Sequence, residues 1–415
     1  MTQEFCYLTL IIMSYVHLVC ASPIGYIYNA SYSSTSIDTF IKYNQTCSEC
    51  ICNAFYSQMI PKYLSFNCYT SNKTCALFAN YSATSTIQIN LDSTFIFLQK
   101  PPSQVTYPLI GVTVAGYSNG TSGTSLDALN APWGLAIYMN NTLYISECGN
   151  SRVMKIHEGS LNGTIVAGFG GSGNGNSQLG CPAELKLDNY SNLYVDDNSH
   201  CRVMLWRINA STGITAVGVD GCGNTNRTIG TSAGFALDSH GNLYISDMDY
   251  HRVMKWPPNS TVGIVIAGQT GVPGDTNKLL NTPYGLYLDE KNSYLYIADM
   301  GNNRIQRYNL NMTANGTTVA GGYGAGSNSS QLNGPHGVYV SKKTGDIYIA
   351  DRANNRIQRW SQGASNAVTI AGITGMTGTN STLLNSPVGV IMNMNETFLY
   401  VSDRGNNRVQ RYQLT

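Results

Sequence analysis

Six copies of one short motif recur through the last three quarters of this 415-residue chain. Each copy contains an apolar-Tyr-apolar segment, a polar turn and an Arg-apolar pair, as in LYIADMGNNRIQRY at 295–308. Their arginines are spaced 50, 50, 52, 52 and 52 residues apart, at Arg152, Arg202, Arg252, Arg304, Arg356 and Arg408. A near-constant period of this length indicates that each copy is one supersecondary unit packed against its neighbours.

Each unit predicts four short β-strands. A start that contains Pro and Gly, such as NTPYGLYLD (281–289), precedes the Leu-Tyr-Ile-x-Asp strand, the Arg strand and a Thr/Val-rich strand such as TTVAG (317–321). No segment is long or periodic enough for a helix, and both faces of the strands carry apolar residues. We therefore predict an all-β fold, a six-bladed β-propeller of four-stranded blades.

The two ends of the repeat region predict how the ring closes. GVTVAG (111–116) has the pattern of an outer strand, yet no inner strands precede it. The sixth unit stops soon after NRVQRY (407–412), before any outer strand of its own. We expect 112–116 to pair beside 408–412, because this pairing leaves no free sheet edge.

Over about residues 112–412 the chain resembles the NHL-repeat proteins, whose units share the Pro-x-Gly start, the apolar-Tyr-apolar-x-Asp strand and the Asn-x-Arg strand. It departs from that pattern at Glu147 (for Asp), Ser232 (for Pro) and Glu184 (for Gly). The resemblance implies a propeller, and the family includes metal-dependent lyases as well as cytosolic ubiquitin ligases and RNA-binding proteins. Only His336 stands where a lyase-type metal ligand would project, so we predict no metal site and no cofactor.

The repeated carboxylates and arginines are interpreted as structural, because an active site occurs once whereas a turn-stabilising pair is needed in every blade. The carboxylate at the strand end can accept N–H groups of the following turn, and the arginine can return to it or to turn carbonyls. We identify no catalytic residues. The structural set is Glu147, Arg152, Asp197, Arg202, Asp247, Arg252, Asp299, Arg304, Asp351, Arg356, Asp403 and Arg408.

Positions that keep the register but change residue are better candidates for function. The position after the Pro of the inner strand, or after Ser232 where Pro is replaced, is occupied by Trp133, Ala183, Ala233, Tyr284, His336 and Val388, which we expect around one mouth of the central channel. We hypothesise a binding site there that contains Trp133, Glu184, Tyr284 and His336. The alternative is that these side chains only plug the channel.

The N-terminal quarter does not repeat. Phe5–Cys20 is a mainly apolar run, so residues 1–21 are predicted to be a cleaved signal peptide, with an uncleaved membrane anchor as the alternative. Residues 22–100 form a small module with Cys47, Cys50, Cys52, Cys68 and Cys75, followed by a linker at 101–111 and the propeller at 112–415. FNCYTSNKTCALF (66–78) resembles the core of apple/PAN-like modules.

The cysteines and sequons favour an exported protein. We favour disulfides Cys148–Cys181 and Cys201–Cys222, because each ties a turn to the exit loop of its own blade, and disulfides rather than a half zinc site among Cys47, Cys50 and Cys52. Sixteen Asn-x-Ser/Thr sequons are present, many of them in predicted turns.

These features together predict a secreted glycoprotein that binds an extracellular protein or glycan through the loop-rich face of its propeller. The alternative is an extracellular enzyme, a lyase or a lactonase-like hydrolase with its site at the channel mouth. A net charge of +1 offers no polyanion-binding face, so no nucleic-acid partner is expected. We also expect no stable membrane insertion after the leader is cleaved.

Overall fold

The computed structural model describes residues 108–160, 162–312 and 315–414, together with the backbone of five strands between Tyr26 and Phe97. The chain divides into two compact units, 1–106 and 107–415. The predicted signal peptide, residues 101–107 of the predicted linker, and Cys47, Cys50 and Cys52 lie outside the described residues. In the described part of the chain, no helix has the length and apolar character that a membrane span requires.

The first unit contains a five-stranded antiparallel sheet with the order β1-β5-β3-β4-β2. Its strands are β1 (Tyr26–Tyr32), β2 (Ile41–Asn44), β3 (Ser65–Tyr69), β4 (Thr74–Phe78) and β5 (Ile87–Phe97). The segment that resembles apple/PAN modules forms the β3–β4 hairpin, in which Cys68 stands opposite Cys75. That resemblance, and the disulfides of this module, stay predictions.

The second unit is the predicted six-bladed propeller, with one four-stranded antiparallel sheet per blade. The first outer strand is β6 (Val112–Gly116). Blade 1 has β7 (Pro132–Tyr138), β8 (Thr142–Glu147), β9 (Arg152–Ile156) and β10 (Thr164–Ala167). Blade 2 has β11 (Pro182–Leu187), β12 (Leu193–Asp197), β13 (Arg202–Trp206) and β14 (Ile214–Val217). Blade 3 has β15 (Ser232–Leu237), β16 (Leu243–Asp247), β17 (Arg252–Trp256) and β18 (Ile264–Gly268).

The remaining blades repeat the same order. Blade 4 has β19 (Pro283–Asp289), β20 (Tyr294–Asp299), β21 (Arg304–Asn309) and β22 (Gly316–Gly321). Blade 5 has β23 (Pro335–Val340), β24 (Ile347–Asp351), β25 (Arg356–Trp360) and β26 (Val368–Ala371). Blade 6 has β27 (Pro387–Met392), β28 (Phe398–Asp403) and β29 (Arg408–Gln413) and takes β6 as its outer strand. The predicted closure is confirmed, with Arg408 opposite Gly116 and Val409 opposite Ala115.

The second strand of most blades ends in a short 3-10 turn followed by a residue in the left-handed conformation. The 3-10 segments are Cys148–Asn150, Asn198–His200, Met300–Asn302, Arg352–Asn354 and Arg404–Asn406, and one more, Met139–Asn141, links β7 to β8. Asn303, with φ 53°, shows why Asn suits the next position, since its side chain tolerates this backbone. Its Oδ1 also accepts the N–H of Gly334 at 2.9 Å, which joins blade 4 to blade 5.

The turns between the second and third strands and the starts of the inner strands share one face of the propeller, which we call the loop-rich face. The strands of each blade alternate in direction, so the turns between first and second strands, and between third and fourth strands, lie on the opposite face. Two disulfides lie on the loop-rich face, Cys148–Cys181 and Cys201–Cys222, in the pairing favoured from the sequence.

Each blade contains a buried pair between the arginine and the carboxylate five residues before it. In blade 4, Arg304 Nε lies 2.7 Å from Asp299 Oδ2, and its Nη atoms donate to the carbonyls of Asp275, Thr276 and Leu279 at 2.6–3.1 Å. The other pairs have the same geometry at 2.6–2.8 Å: Arg152–Glu147, Arg202–Asp197, Arg252–Asp247, Arg356–Asp351 and Arg408–Asp403.

The backbone partner of the carboxylate follows our expectation in blade 3, where Asp247 Oδ1 accepts the N–H of Tyr250 in the following turn at 3.3 Å, but differs from it in blade 4. Asp299 Oδ1 accepts the N–H of Asn281 at 2.7 Å, from the connection before the blade rather than from the turn after the strand. The reason is the antiparallel register, which places Asp299 opposite Pro283 at the start of the inner strand. The following turn contributes through a side chain instead, because Asn302 Nδ2 donates to Asp299 Oδ2 at 2.8 Å.

Replacing Arg304 by Ala is expected to lower the free energy of unfolding by about 3–5 kcal/mol, because it leaves the buried Asp299 carboxylate and three carbonyls without their partner. Chemical denaturation of the purified propeller measures this loss. Arg307→Ala is the matched control, since Arg307 is half-exposed and stacks on Tyr294 at the blade surface, and about 1 kcal/mol or less is expected there. Equal losses in the two variants would contradict a structural role for the repeated pair.

Candidate functional site

The second residues of the inner strands meet around the channel at the loop-rich face. Trp133, Ala233, Tyr284 and Val388 belong to one packed apolar cluster, although they come from four different blades. This convergence follows from the repeat, because every inner strand begins at the same level beside the central axis. The structure thus brings these four residues together, and their role as a binding site stays a prediction.

The aromatic side chains at this level fill the mouth of the channel. The Trp133 and Tyr284 rings come from opposite blades and stack with their centroids 5.9 Å apart and their planes 3° from parallel. The Tyr284 and His336 ring centroids are 3.8 Å apart. Tyr284 and His336 are only 5% and 4% exposed, whereas Trp133 is half-buried. The aromatic group closes the channel, and Trp133 is its member that reaches the surface.

Two arginines that sequence reasoning missed complete this group. Arg352 and Arg404 are the first residues of the 3-10 turns in blades 5 and 6, and both are half-buried. The Arg404 guanidinium carbon lies 4.9 Å from the centroid of the Trp133 ring, a cation–π distance. We call Trp133, Tyr284, His336, Arg352 and Arg404 the mouth cluster.

Burial and the two positive charges set the protonation of the mouth cluster. Burial, followed by the Arg352 and Arg404 charges, holds the pKa of His336 well below its ordinary value, so the imidazole is neutral at physiological pH. Burial raises the pKa of the Tyr284 phenol, which stays protonated. Burial also lowers the pKa of Arg404, which shows that its charge is poorly solvated.

Asp196 is a buried acid next to this level and was also missed from the sequence. It replaces the small residue of the other blades, such as Ser146 or Ala298. The Ser232 hydroxyl donates to Asp196 Oδ1, while Oδ2 is buried without a partner. This contact accounts for the departure at Ser232, since the usual Pro has no hydroxyl to donate. Burial raises the pKa of Asp196 to about 8.

Glu184 is not part of the mouth cluster. It lines a cavity of about 350 Å³ inside the channel, where Lys186 Nζ lies 2.7 Å from its Oε1. Other lining residues are Tyr287, Tyr339, Lys342 and Met394, and the last two are exposed on the opposite face. Glu184 and His336, which the sequence analysis placed in one binding site, therefore lie in different environments.

The variable histidines of the turns have local partners. His200 Nδ1 lies 3.0 Å from Asp197 Oδ1, and His251 Nδ1 accepts the N–H of Thr282 at 3.1 Å. Among the residues that the structure describes, no group of three or more His, Cys, Asp or Glu side chains is placed to hold a metal ion.

The architecture places the chain in the class of six-bladed β-propellers. A family model for the NHL repeat matches residues 332–360, which cover the first three strands of blade 5. This match and the six blades fit the NHL-repeat β-propeller family. No curated protein matches the chain.

Several solved structures share the fold. One is a structural genomics protein of unknown function from Bacteroides thetaiotaomicron, with 15% identity, a TM-score of 0.56 and coverage of 84% of this chain and 90% of that chain. Another is an auxiliary nutrient binding protein from Bacteroides ovatus, with 14% identity, a TM-score of 0.54 and coverage of 82% and 86%. A third is a gluconolactonase from Xanthomonas campestris, with 11% identity, a TM-score of 0.52 and coverage of 74% and 97%. At these identities the likeness shows the fold alone.

The raised pKa of Asp196 predicts a pH-dependent contribution to stability. The folded state keeps a proton that the unfolded chain releases near pH 3.8, so this contribution is full below that pH and is lost as the pH rises through about 8. Relative to an Asp196→Asn variant, wild-type stability is expected to fall between pH 5 and pH 9, by at most about 1.4 kcal/mol per pH unit. Urea unfolding of both proteins at pH 5, 7 and 9 measures the difference, and parallel curves would contradict the assignment.

Proposed function

We propose that this chain is a secreted glycoprotein whose propeller is a binding module for an extracellular protein or glycan. The ligand contacts the loop-rich face at the mouth cluster. The observation that carries the proposal is the position of Trp133, a half-exposed aromatic side chain at the centre of that face, which contacts Arg404 and stacks on Tyr284. Tryptophan and arginine are the residue types that most often dominate binding energy at interfaces.

The frame around Trp133 is rigid, which suits a binding site. The buried arginine–carboxylate pairs support every blade, and the disulfides tie the loops of blades 1 and 2 together. A rigid site loses little conformational entropy when the ligand binds. A structural neighbour named as an auxiliary nutrient binding protein has the same fold and supports a binding role at the level of the architecture alone.

Export is supported by the cysteines and the sequons. Disulfides persist in oxidising compartments. All twelve sequon asparagines between 108 and 414 are exposed and accessible to glycosylation, namely Asn119, Asn140, Asn162, Asn189, Asn209, Asn226, Asn259, Asn311, Asn315, Asn328, Asn380 and Asn395.

Expression of the full chain in a eukaryotic secretory host tests the compartment. The protein is expected in the medium, with a lower apparent mass after enzymatic removal of N-linked glycans. Retention of an unglycosylated chain inside the cell would contradict the proposal.

Binding is tested with the secreted protein on a cell-surface panel and a glycan array. Trp133→Ala is expected to weaken any specific binding by about tenfold or more. Tyr190→Ala is the matched control, since Tyr190 is 81% exposed in a turn of the opposite face, and its loss is expected to change nothing. A thermal melt of Trp133→Ala checks that the variant is folded at the temperature of the binding assay. Undiminished binding by Trp133→Ala would place the site elsewhere.

A further inference from the structure

We propose that the mouth cluster is an oxyanion site, which takes one carboxylate or sulfate group of the ligand between Arg352 and Arg404. This inference rests on the proposed function, because it names the chemistry of the ligand that the proposed binding site takes. It can be tested separately, because a small anion is a sufficient probe.

The first support is a concentration of unpaired hydrogen-bond donors. Trp133 Nε1, Arg352 Nε and Arg404 Nε are buried, and none has a partner in the structure. Each of these nitrogens carries a hydrogen that it can only donate. Buried polar groups in proteins are nearly always paired, and a group of unpaired ones at a single place indicates a bound partner. The partner that satisfies such donors is a group with acceptor oxygens.

The second support is the contrast between two kinds of arginine in the same fold. Arg408 donates to the Asp403 carboxylate and to carbonyls such as those of Asn380 and Leu383. Arg404, four residues earlier, takes part in none of the ion pairs found among the described residues, and neither does Arg352. The repeated arginines are paired with carboxylates and carbonyls of their own blades, whereas Arg352 and Arg404 have no such ion pair in the described part of the chain.

The third support is the uncompensated positive charge. Arg352 and Arg404 come from neighbouring blades, and the Arg352 charge helps to lower the pKa of Arg404. His336, whose pKa both charges lower, is neutral, and the pKa of the nearby Asp196, raised to about 8, keeps most of that acid protonated at pH 7. The other acids around Asp196 are Asp197 and Glu184, which are paired with Arg202 and Lys186. An anion relieves the repulsion between the two guanidinium groups.

The packing around Trp133 favours contact with an acidic group of the ligand over stacking of a ligand ring on the indole. One face of Trp133 is covered by Arg404, and Tyr284 is stacked parallel to the ring. Nε1 of Trp133 is buried, whereas Arg352 and Arg404 are half-exposed and remain for the ligand. A planar carboxylate or a tetrahedral sulfate can accept from the guanidinium forks, which suit bidentate contacts with oxyanions.

The test is isothermal titration of the purified, secreted full chain with sodium sulfate, sodium acetate and sodium D-glucuronate at constant ionic strength. D-glucose is the neutral control. Saturable binding of at least one anion, and none of glucose, is expected. Arg352→Gln and Arg404→Gln are each expected to weaken it by about tenfold or more, the usual size of a charge-assisted hydrogen bond. Sulfate and glucuronate distinguish a sulfate from a carboxylate preference.

Two further variants separate the site from non-specific charge. Arg207→Gln removes an exposed arginine of the opposite face and is expected to leave anion affinity unchanged. Trp133→Phe removes the Nε1 donor and is expected to weaken it. Arg352→Gln and Arg404→Gln are expected to unfold no more easily than wild type, because each removes the repulsion between the two guanidinium groups. A thermal melt of each variant checks this.

The pH dependence gives an independent readout. Anion affinity is expected to fall between pH 6 and pH 9, as Asp196 ionises beside the site, and Asp196→Asn is expected to remove this fall. Equal anion affinity in wild type and the Arg352/Arg404 double variant would overturn the inference, and so would no saturable anion binding in wild type. If anions bind as described but Trp133→Ala still binds cells or glycans normally, the oxyanion site stands and the proposed function fails.

Discussion

Every blade depends on the buried arginine that links three segments at once. Arg356 illustrates this, because it pairs with Asp351 on the neighbouring strand and donates to the carbonyls of Ser327, Asn328 and Gln331 in the connection before the blade. Those carbonyls belong to an irregular Gly- and Ser-rich loop that has few other donors. The arginine therefore replaces the hydrogen bonds that a regular strand would have supplied to this loop.

The same interaction explains why the loop-rich face can carry a site with unsatisfied groups. A cluster of buried, unpaired donors and like charges is unfavourable for folding, and it persists only where surrounding structure holds it in place. The buried pairs, the inter-blade bond from Gly334 to Asn303 and the disulfides supply that support. Stability comes from residues that repeat, and the chemistry of the mouth comes from residues that do not.

The difference between these two sets also decides what the sequence could predict. Arg304 and Asp299 recur in register, so their pairing, the four strands of each blade and the closure by Val112–Gly116 followed from comparing one blade with another. The first position of the 3-10 turn has no such signal, because Met300 stands where blades 5 and 6 have Arg352 and Arg404. The stack of Trp133 on Tyr284 depends on the width of the channel, which no single blade reveals.

Glu184 shows that the place of a residue in the repeat does not by itself determine where its side chain lies. It occupies the place of a glycine that in other blades approaches the next blade closely, as Gly134 approaches the backbone of Ala183 and Glu184. A side chain at this level has to turn along the channel, where Lys186 neutralises it. The channel thus presents a paired carboxylate inside its cavity and unpaired guanidinium groups at its mouth. Because an anionic ligand is attracted to the end with uncompensated positive charge, the two ends of one channel differ in what they can bind.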